Sequence, residues 1–450
     1  MEVLKFLNHA SYVIENEDSI LIHDPWFEGN AFNNGWSLLS KEITNQQVVD
    51  YLSQSNKLIY IWISHEHSDH FSISFIKSLK KAGIDCKFFF QKTADKRVLN
   101  FLKLNEFKIQ ECTDGKEYKI DKNLYLSVYS HSGGDSFCFL RTNTKNILNI
   151  NDCVIKDAKS AQKVLSRLPR NLSIDILFTQ FGYANWIGRI EDKELRAKSA
   201  MEKISRISIQ DKVFKPEIII PFASFIYFCK EENFYLNDKQ NFPSHLRQST
   251  KLNKIQNKIN FMKPNQKVPL DESFLEKLQL LTHEAESYWN SFINKINDSS
   301  ETNKEKTGES ITETELAKLA SDYLSKVRKH TLGLINFFEY FRIMNLKPIS
   351  FHVYDLDMNL SLSYLKGVKN SASEGILSIH SSELAFILKN EFGWNTLFVS
   401  GAFKAYQNQL NSAHSFFRWQ DAIKNGFSFK HPLHSLRVVT QFIARKFFAY

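Results

Sequence analysis

The segment Ile61–Ser72, IWISHEHSDHFS, gathers three histidines and an aspartate between His65 and His70. The apolar run that leads into it, LIYIWIS, is rich in β-branched and aromatic residues and predicts a buried strand. The turn at the end of that strand can aim His65 and His67 at one point, and Asp69 and His70 at a second point nearby. Imidazole and carboxylate groups together suit zinc or iron rather than calcium or magnesium. The segment therefore predicts a site for two transition-metal ions held about 3.5–4 Å apart.

The composition is that of a large globular protein. The chain has 450 residues, of which 43% are hydrophobic, so a sizeable core and more than one domain are expected. No apolar stretch approaches the roughly 20 residues of a membrane helix, so no transmembrane segment is expected. The first residues, MEVLKFLNHASYVIEN, lack the pattern of a signal peptide and predict a first strand. The five cysteines are scattered without a C-x-x-C pair, which favours a reducing, cytoplasmic location.

The charge of the chain bears on its partners. The formal net charge is +9 at pH 7. An anionic small-molecule substrate and a lysine-rich surface with no specific partner both agree with this value. No compact run of arginine and lysine marks a nucleic-acid site, so no nucleic-acid partner is predicted. The sequence carries no signal for the oligomeric state.

The pattern of apolar and polar residues along the sequence predicts three regions. Short apolar segments alternate with helix-like segments over residues 1–265, which predicts an α/β sandwich with mixed sheets as the catalytic domain. Residues 266–347 are predicted to be helical, with a flexible charged linker at 297–311. Thr312 and Glu315 have the spacing of a capping box ahead of a second amphipathic helix. Strand texture returns in residues 348–450, which predicts a small C-terminal α+β module.

The H-x-H-x-D-H pattern resembles the motif of the metallo-β-lactamase superfamily. That resemblance implies an αββα sandwich and a two-metal site. It assigns His131, at the end of LYLSVYS, to the first metal together with His65 and His67. It implies that Asp152, in LNINDC, bridges both metals. The complete implied ligand set is His65, His67, Asp69, His70, His131 and Asp152.

Three residues carry predicted catalytic roles. The resemblance extends to Asp24 in LIHDPW, which matches an aspartate that shapes the floor of the site, and to His9 in NHASYVI, which matches a histidine facing the substrate. Each of these two is equally explained by a hydrogen bond that ties a loop. Asp69 would orient the nucleophile if the enzyme is a hydrolase.

Several longer stretches are similar to the CMP-N-acetylneuraminate hydroxylase family. They are DPWFEGNAFNNGWSLL, HSGGDSFCF, ILNINDC, FTQFGYANW and KPEIIIPFASFIYF, which occur in the family's order within the first 240 residues. A weaker counterpart, LSIHSSELAFILKNEFGWNTLFV, lies near the C-terminus. The resemblance implies an oxygenase that acts on a nucleotide-activated sugar.

The sequence departs from that family in its cysteines. The family's Rieske cluster needs C-x-H and C-x-x-H pairs, and none of the five cysteines here is followed by histidine at either spacing. No Rieske cluster is therefore expected in this chain. Electrons for redox chemistry would then come from a separate electron-donor protein or from a reduced substrate.

A second departure concerns the last metal ligand of many hydrolases with this fold. The late strand EIIIPF is followed by Ala223 and Ser224 instead of histidine, a feature that the resembling hydroxylase shares. Glu231, Glu232 or His245 from the following loop are candidates for the open place. As an alternative, each is a solvated loop residue.

Aromatic residues near these motifs are candidates for substrate binding. Trp26 and Trp36 lie beside Asp24 in the sequence, and Tyr183, Asn185 and Trp186 follow another predicted strand. These side chains either line a substrate pocket or pack under the sheet edge.

Three functions follow from these observations. The favoured one, by a narrow margin, is an iron- and O2-dependent oxygenase acting on an anionic, nucleotide-sugar-like substrate. The alternative is a zinc-dependent hydrolase of a phosphodiester, ester, lactone or amide, since the same ligands accept zinc. The third is a non-catalytic metal-binding scaffold, which the complete motif argues against.

Overall fold

A computed structural model describes most of the chain. The described residues are 2–170, 172–297, 304–305, 308–371, 375–406, 409–424 and 426–430. Most of the linker predicted at 297–311 lies outside the described residues, as do the last twenty residues of the predicted C-terminal module. Across the described ranges, no helix has both the length and the apolarity that crossing a bilayer requires.

The first part of the chain alternates strands and helices. The strands are β1 (Val3–Asn8), β2 (Ser11–Glu15), β3 (Ser19–His23), β4 (Trp36–Leu38), β5 (Leu58–Ile63), β6 (Cys86–Gln91), β7 (Lys108–Cys112), β8 (Glu117–Lys119), β9 (Tyr125–Ser130), β10 (Ser136–Arg141), β11 (Asn146–Asn149), β12 (Ile176–Gln180), β13 (Ile218–Phe222), β14 (Ile226–Phe228) and β15 (Lys267–Pro269). The helices are α1 (Asn45–Ser53), α2 (Ile73–Lys81), α3 (Arg97–Leu104), α4 (Ala158–Leu165), α5 (Lys193–Phe214), α6 (Pro243–Gln248), α7 (Phe274–Asn290) and α8 (Phe292–Asn297).

Two mixed sheets face each other. The first has the order β15-β1-β2-β3-β5-β6-β7, and the second has the order β13-β12-β11-β10-β9-β8. Tyr12 of the first sheet stacks on Phe178 of the second at 4.3 Å, within the core between the sheets. Helices α1 and α2 cover the outer face of the first sheet, and α4 and α5 pack on the second. The predicted αββα layering is confirmed.

The predicted strand before the metal motif is β5, at the centre of the first sheet. It pairs in parallel with β3 and β6, and Ile61, Trp62 and Ile63 are fully buried. A strand covered on both faces needs a continuous apolar run, which is what LIYIWI provides. The motif therefore begins where the chain leaves the carboxyl end of a central parallel strand.

A second core forms farther along the chain. Its strands are β16 (Ile349–Val353), β17 (Met358–Ser363), β18 (Gly367–Asn370), β19 (Leu377–Ile379) and β20 (Lys404–Ala405), and its helices are α9 (Glu313–His330), α10 (Leu334–Tyr340), α11 (Ser381–Lys389), α12 (Gly393–Ser400) and α13 (Leu410–Lys424). The sheet order is β18-β17-β16-β19-β20. The predicted C-terminal α+β architecture is confirmed.

The helices of the predicted middle region divide between the two cores. In α7, Trp289 stacks on Phe225 at 3.8 Å and belongs to the core of the sandwich. Helix α9 buries Leu316 and Tyr323 in the C-terminal core. Its first turn is capped by Thr312, whose side chain accepts the Glu315 N–H as the sequence pattern predicts. The helical region thus joins the two cores instead of forming a third.

Candidate metal centre

The candidate centre lies at one end of the first sheet. Residues 64–70 connect β5 to α2, and the Ser72 side chain caps α2 by accepting the Phe75 N–H at 3.3 Å. His9 lies in the turn between β1 and β2, and Asp24 directly follows β3. The sheet therefore brings three chain segments that are distant in sequence to one edge, where side chains after parallel strands meet.

The second sheet supplies further side chains from the opposite side. Asp152 follows β11, Gln180 ends β12, and Asp135 comes directly before β10. The candidate centre therefore lies between the two sheets, and both contribute to it.

Two groups of possible metal ligands adjoin one another. His9, Asp69 and His70 form the first, and His65, His70 and Asp152 form the second, with ligand atoms of each group within 4.8 Å of one another. His70 Nε2 lies 3.2 Å from Asp69 Oδ2 and 3.2 Å from Asp152 Oδ2. His9 Nε2 lies 3.3 Å from Asp69 Oδ2. The two groups overlap at His70, and the carboxylates of Asp69 and Asp152 lie on either side of its Nε2.

His67 adjoins the second group. Its Nδ1 lies 2.8 Å from His65 Nε2. Phe32 packs edge-on against the His67 ring at 5.4 Å, and the Phe32 backbone N–H donates to Ser68 Oγ. The loop before β4 therefore holds the outer side of the motif.

Unsatisfied polar atoms test whether a cation fits. Asp69 Oδ1 and His9 Nδ1 are buried without a hydrogen-bond partner among the described residues. A buried polar atom left without a partner costs about 1–3 kcal/mol, so such atoms call for a ligand. Nitrogen and oxygen donors of this kind suit transition-metal ions. The residues present therefore fit the predicted metals.

The electrostatics of the cluster favour positive charge at its centre. Burial opposes protonation of His70, but Asp69, Asp152 and Asp24 outweigh it and hold the pKa of His70 well above its usual range. Burial would raise the pKa of Asp69, but His70 and His9 hold it well below its usual range. A metal cation would take the place of the proton in this balance, since ligands bind metals in their deprotonated forms.

Asp24 holds the motif from behind. Its Oδ2 lies 3.1 Å from His70 Nδ1, and its Oδ1 accepts the Ser64 N–H at 2.7 Å. Asn151 Nδ2 donates to Asp24 Oδ2 and to Ser64 Oγ. A carboxylate on the far nitrogen of a ligating histidine fixes its tautomer and ring orientation. Asp24 is thus placed to orient a ligand.

Strained backbone accompanies these residues. His9 has a φ of 33°, Asp24 of 39° and Asn151 of 45°. Such angles are costly for residues other than glycine and persist only where the surroundings enforce them. At His9 the enforcing contact is a hydrogen bond from the Ala223 N–H to the His9 carbonyl at 2.8 Å.

His131 is placed apart from the converging ligands. Neither group found among the described residues includes it. Its Nδ1 lies 3.2 Å from Ser132 Oγ. Burial, with the nearby charges of Arg167 and Lys163, lowers the pKa of His131. Its role as a ligand stays a prediction, as does that of His67, which also lies outside the two groups found among the described residues.

Asp135 lies beside the second group of candidate ligands. Its Oδ1 lies 3.9 Å from His65 Nε2. Burial, with the charges of Asp152 and Glu66, raises the pKa of Asp135 to about 7. Asp135 lies within the segment HSGGDSFCF, and its type and spacing alone predict no role for it.

The additional ligands proposed from the loop after β14 lie elsewhere. Glu231 is exposed, and the Tyr354 hydroxyl donates to Glu232 at 2.5 Å. The His245 ring accepts the Phe242 N–H at 3.0 Å and so caps its own helix. None of the three belongs to the groups of ligands found among the described residues.

The predicted substrate-binding aromatics divide into two sets. Trp26 packs edge-on against His9 at 5.6 Å and borders the centre. Trp36 donates from Nε1 to the Val399 carbonyl at 3.1 Å, and Trp186 stacks on Phe403 at 5.3 Å. The last two are buried where the sandwich meets the C-terminal core, so their packing role is the one that the structure displays.

Tyr183 and Asn185 make local contacts. The buried Tyr183 hydroxyl donates to the Leu236 carbonyl. Asn185 donates weakly to the Trp186 carbonyl at 3.4 Å. Neither contact involves the candidate ligands.

Lys203 and Gln180 are contributors that the sequence analysis missed. Gln180 Nε2 donates to Asp152 Oδ1 at 3.1 Å, and Lys203 Nζ donates to Gln180 Oε1 at 2.5 Å. Burial, with the charge of Arg206, lowers the pKa of Lys203 to about 8. The only sequence signal was the position of Gln180 at the end of an apolar strand, and Lys203 is indistinguishable from other lysines of α5.

The layering and the position of the cluster define a metallo-β-lactamase fold. No family model matches the chain. The cytidine monophosphate-N-acetylneuraminic acid hydroxylase of Xenopus laevis is 26% identical over 240 residues, which cover 50% of this chain and 38% of that protein. The match thus spans less than half the length of this relative. The predicted resemblance to that hydroxylase family is confirmed at this level of identity.

Solved structures resemble the chain more distantly. The metallo hydrolase Igni18 of Ignicoccus hospitalis has 15% identity and a TM-score of 0.39, and the match covers 59% of this chain and 97% of that one. The diiron β-hydroxylase CmlA of Streptomyces venezuelae has 13% identity and a TM-score of 0.34, covering 49% of this chain and 44% of that one.

Proposed function

We propose that this protein is a dinuclear-metal oxygenase that uses iron and O2 to hydroxylate an anionic, nucleotide-sugar-like substrate. The observation that carries the proposal is the pair of adjoining ligand groups that share His70 and are rich in carboxylates. Such mixed imidazole and carboxylate sites suit non-haem iron. The sequence similarity to a hydroxylase family over half of the chain supports the choice of reaction.

The residues that follow β13 also support an oxygenase over a hydrolase. Ser224 Oγ accepts the Phe181 N–H at 3.0 Å and the Gly182 N–H at 2.8 Å, so this position holds together two loops. Ala223 has a φ of 51° and donates its N–H to the His9 carbonyl. A structural turn therefore stands where many hydrolases of this fold place a histidine ligand.

The protein's residues would divide the work as follows. The metals would be held by the predicted ligands His65, His67, Asp69, His70, His131 and Asp152. When bound, they would supply Lewis acidity and, in the case of iron, reactivity with O2. Asp24 holds the His70 ring in one orientation through Nδ1. Trp26, against His9, excludes water from one side of the centre.

An anionic substrate would meet Lys203. Its ammonium group is linked to Asp152 through the Gln180 amide. With a pKa of about 8, Lys203 is mostly charged at neutral pH. A cation beside the metals can orient a phosphate or carboxylate of the substrate, which agrees with the net charge of +9. Replacing Lys203 with methionine should raise KM for an anionic substrate more than it lowers kcat.

A reducing compartment and a separate electron-donor protein complete the proposal. The five cysteines are buried free thiols, as expected in the cytoplasm. The donor would deliver the electrons that oxygen activation consumes.

Elemental analysis and oxygen uptake test the proposal together. Protein purified from a host supplied with both iron and zinc should carry about two irons per chain and consume O2 when a reductant is added. Two zincs per chain, with hydrolysis of a phosphodiester or lactone in the absence of O2 and reductant, would instead establish the zinc hydrolase. That alternative keeps support from the nitrogen and oxygen ligand set, which zinc also accepts.

A further inference from the structure

Helix α10 turns an apolar face to solvent. Leu334, Phe337 and Phe341 recur at helical spacing along the segment, and all three side chains are exposed. Tyr340, next to Phe341, is 69% exposed. A helix on the surface of a globular protein normally presents charged and polar side chains to water. An outer face made of leucine and aromatic side chains therefore indicates a surface that binds something.

The opposite face of α10 holds the helix in place. Ile335 is fully buried in the C-terminal core, and the Phe338 ring lies 5.8 Å from the Trp419 ring. The Glu339 carboxylate accepts the Tyr364 N–H at 2.6 Å. The helix is thus anchored through these side chains, so the exposed aromatic residues are free for another contact.

The exposed side chains of α10 are continuous with one another. The Phe337 and Phe341 rings lie 4.5 Å apart, and the Tyr340 and Phe341 rings lie 4.9 Å apart. Leu334 precedes Phe337 by one helical turn on the same face. We name Leu334, Phe337, Tyr340 and Phe341 the apolar patch.

The turn that follows the apolar patch adds a further apolar side chain. Arg342, Met344 and Asn345 have φ angles of 53°, 57° and 58°, which are costly for residues other than glycine. The Asn345 N–H donates to the Arg342 carbonyl at 3.1 Å and closes the turn. The Met344 side chain stays exposed at this turn. The strained backbone therefore serves to display a side chain that makes no contribution to the core.

The charges around the apolar patch are positive. The charged residues within 329–350 are Lys329, Glu339, Arg342 and Lys347. Lys329 and Arg342 are exposed, whereas the single acidic residue, Glu339, is buried. Exposed cations beside aromatic and aliphatic side chains are typical of surfaces that lie in the headgroup region of a membrane. The cations attract anionic lipids while the apolar side chains enter the acyl boundary.

We propose that the apolar patch, with Lys329 and Arg342, docks the C-terminal core on a membrane surface that contains anionic lipids. The contact is peripheral and is independent of the proposed metal chemistry. A second copy of the chain fits this surface less well, because a symmetric contact would bring Lys329 and Arg342 against their own counterparts.

Vesicle sedimentation tests the apolar part of the proposal. The full chain is mixed with vesicles of phosphatidylcholine alone and with vesicles of equal parts phosphatidylserine and phosphatidylcholine. The chain should sediment with the second kind, and the double variant Phe337→Ser, Phe341→Ser should bind at least tenfold more weakly. The control is Leu104→Ser with Leu280→Ser, which removes two exposed leucines of the sandwich and should leave binding unchanged.

Charge variants test the choice of lipid. Lys329→Gln and Arg342→Gln should each weaken binding to the phosphatidylserine vesicles about fivefold, since a basic side chain near the surface contributes about 1 kcal/mol. The exposed Lys251, changed to glutamine, is the control and should have no effect. Added salt should weaken binding of the unmodified chain. Equal affinity for both kinds of vesicle overturns the assignment of an anionic surface.

A reporter variant separates docking from loss of folding. Phe337→Trp keeps an aromatic ring at an exposed position and should bind vesicles as the unmodified chain does. Its additional fluorescence should move to shorter wavelength on binding and be quenched by lipids with brominated chains. Failure of the unmodified chain to bind either vesicle overturns the proposal. A dimer in sedimentation velocity that the double serine variant converts to monomer also overturns it, because a second copy would then cover the apolar patch.

Discussion

The sandwich and the C-terminal core both reach the mouth of the metal centre, but they contribute different things. The sandwich supplies the candidate ligands, all of which sit where strands of its two sheets end. The C-terminal core supplies contacts that hold the surrounding loops. Lys230 and Glu383 form an ion pair with side-chain exposures of 3% and 2%, and Asn33 donates to the same Glu383 at 3.0 Å. The sandwich thus carries the candidate metal ligands, and the C-terminal core holds the loops around them in place.

A second contact shows the same division. Lys424, at the end of α13, lies 3.0 Å from Glu66, which stands between two histidines of the motif. The partners are 358 residues apart in sequence. His380 caps α11 by accepting the Ser382 N–H and lies 3.3 Å from Asp355. Histidine is thus a candidate metal ligand in one part and a helix cap in the other.

The largest expected effect comes from removing a ligand of the sandwich. Asp152→Ala should lower the affinity for at least one metal by more than about 100-fold, because a direct ligand contributes more than the supporting residues whose loss costs 10–100-fold. The same result is expected for His67→Ala. Metal per chain after dialysis is the measurement. Asp355→Ala, a carboxylate of the C-terminal core, is the control and should retain both metals; equal loss in both would erase the proposed division.

The next largest effect is expected from removing the buried ion pair between Lys230 and Glu383. Glu383→Ala leaves Lys230 buried without its partner and should lower the free energy of unfolding by about 3–5 kcal/mol. The double variant Lys230→Met, Glu383→Leu should recover most of that loss, because no unpaired charge remains. Urea denaturation measures both. A loss below about 1 kcal/mol in the single variant would show that the pair does not hold the two parts together.

Acid sensitivity should be concentrated in the sandwich. Burial lowers the pKa of His23 to about 3, and neither ring nitrogen has a hydrogen-bond partner among the described residues. The unfolded chain binds a proton near pH 6.5, and the folded chain does not. Stability from this residue is therefore complete above pH 6.5 and falls by about 1.4 kcal/mol per pH unit between 6.5 and 3.

His23→Phe tests that sensitivity by changing the titrating group alone. The variant should lose about 2 kcal/mol less than the parent between pH 7 and pH 5, as measured from urea midpoints. Equal losses in the two proteins would mean that His23 is protonated in the folded state. His414→Phe is the matched change in the C-terminal core, where the ring accepts a hydrogen bond from Trp394 at 2.9 Å. Burial also lowers the pKa of His414, but by less than for His23, so a smaller difference is expected there.

The smallest effect is expected from removing the partly exposed ion pair between Lys424 and Glu66. Lys424 and Glu66 have side-chain exposures of 12% and 30%, so solvent screens their attraction. Lys424→Ala should change the free energy of unfolding by less than about 1 kcal/mol and lose that difference in high salt. Lys389→Ala, in an exposed pair with Glu315, is the control for a contact far from the motif. A large, salt-independent effect at Lys424 would show that the C-terminal core does more than support.

Much of the site was predictable because its residues follow recognisable strands. The run before His65 and the run before Asp152 both read as buried strands, and each became a strand with its carboxylate or imidazole at the end. Asp24 was predictable for the same reason. The roles of Trp36 and Trp186 were left open by the sequence, because a buried aromatic and a pocket aromatic have the same local pattern. Their contacts with Val399 and Phe403 come from the other core.

The sequence by itself determined the position of the candidate metal centre, since apolar periodicity defines strands and ligand spacing defines the motif after β5. Only the tertiary structure decided that Asp24 lies against His70 and that Lys203 is linked to Asp152 through Gln180. These contacts depend on how β3, β5, β11, β12 and α5 pack together. Such contacts join separate strands, so no local pattern records them.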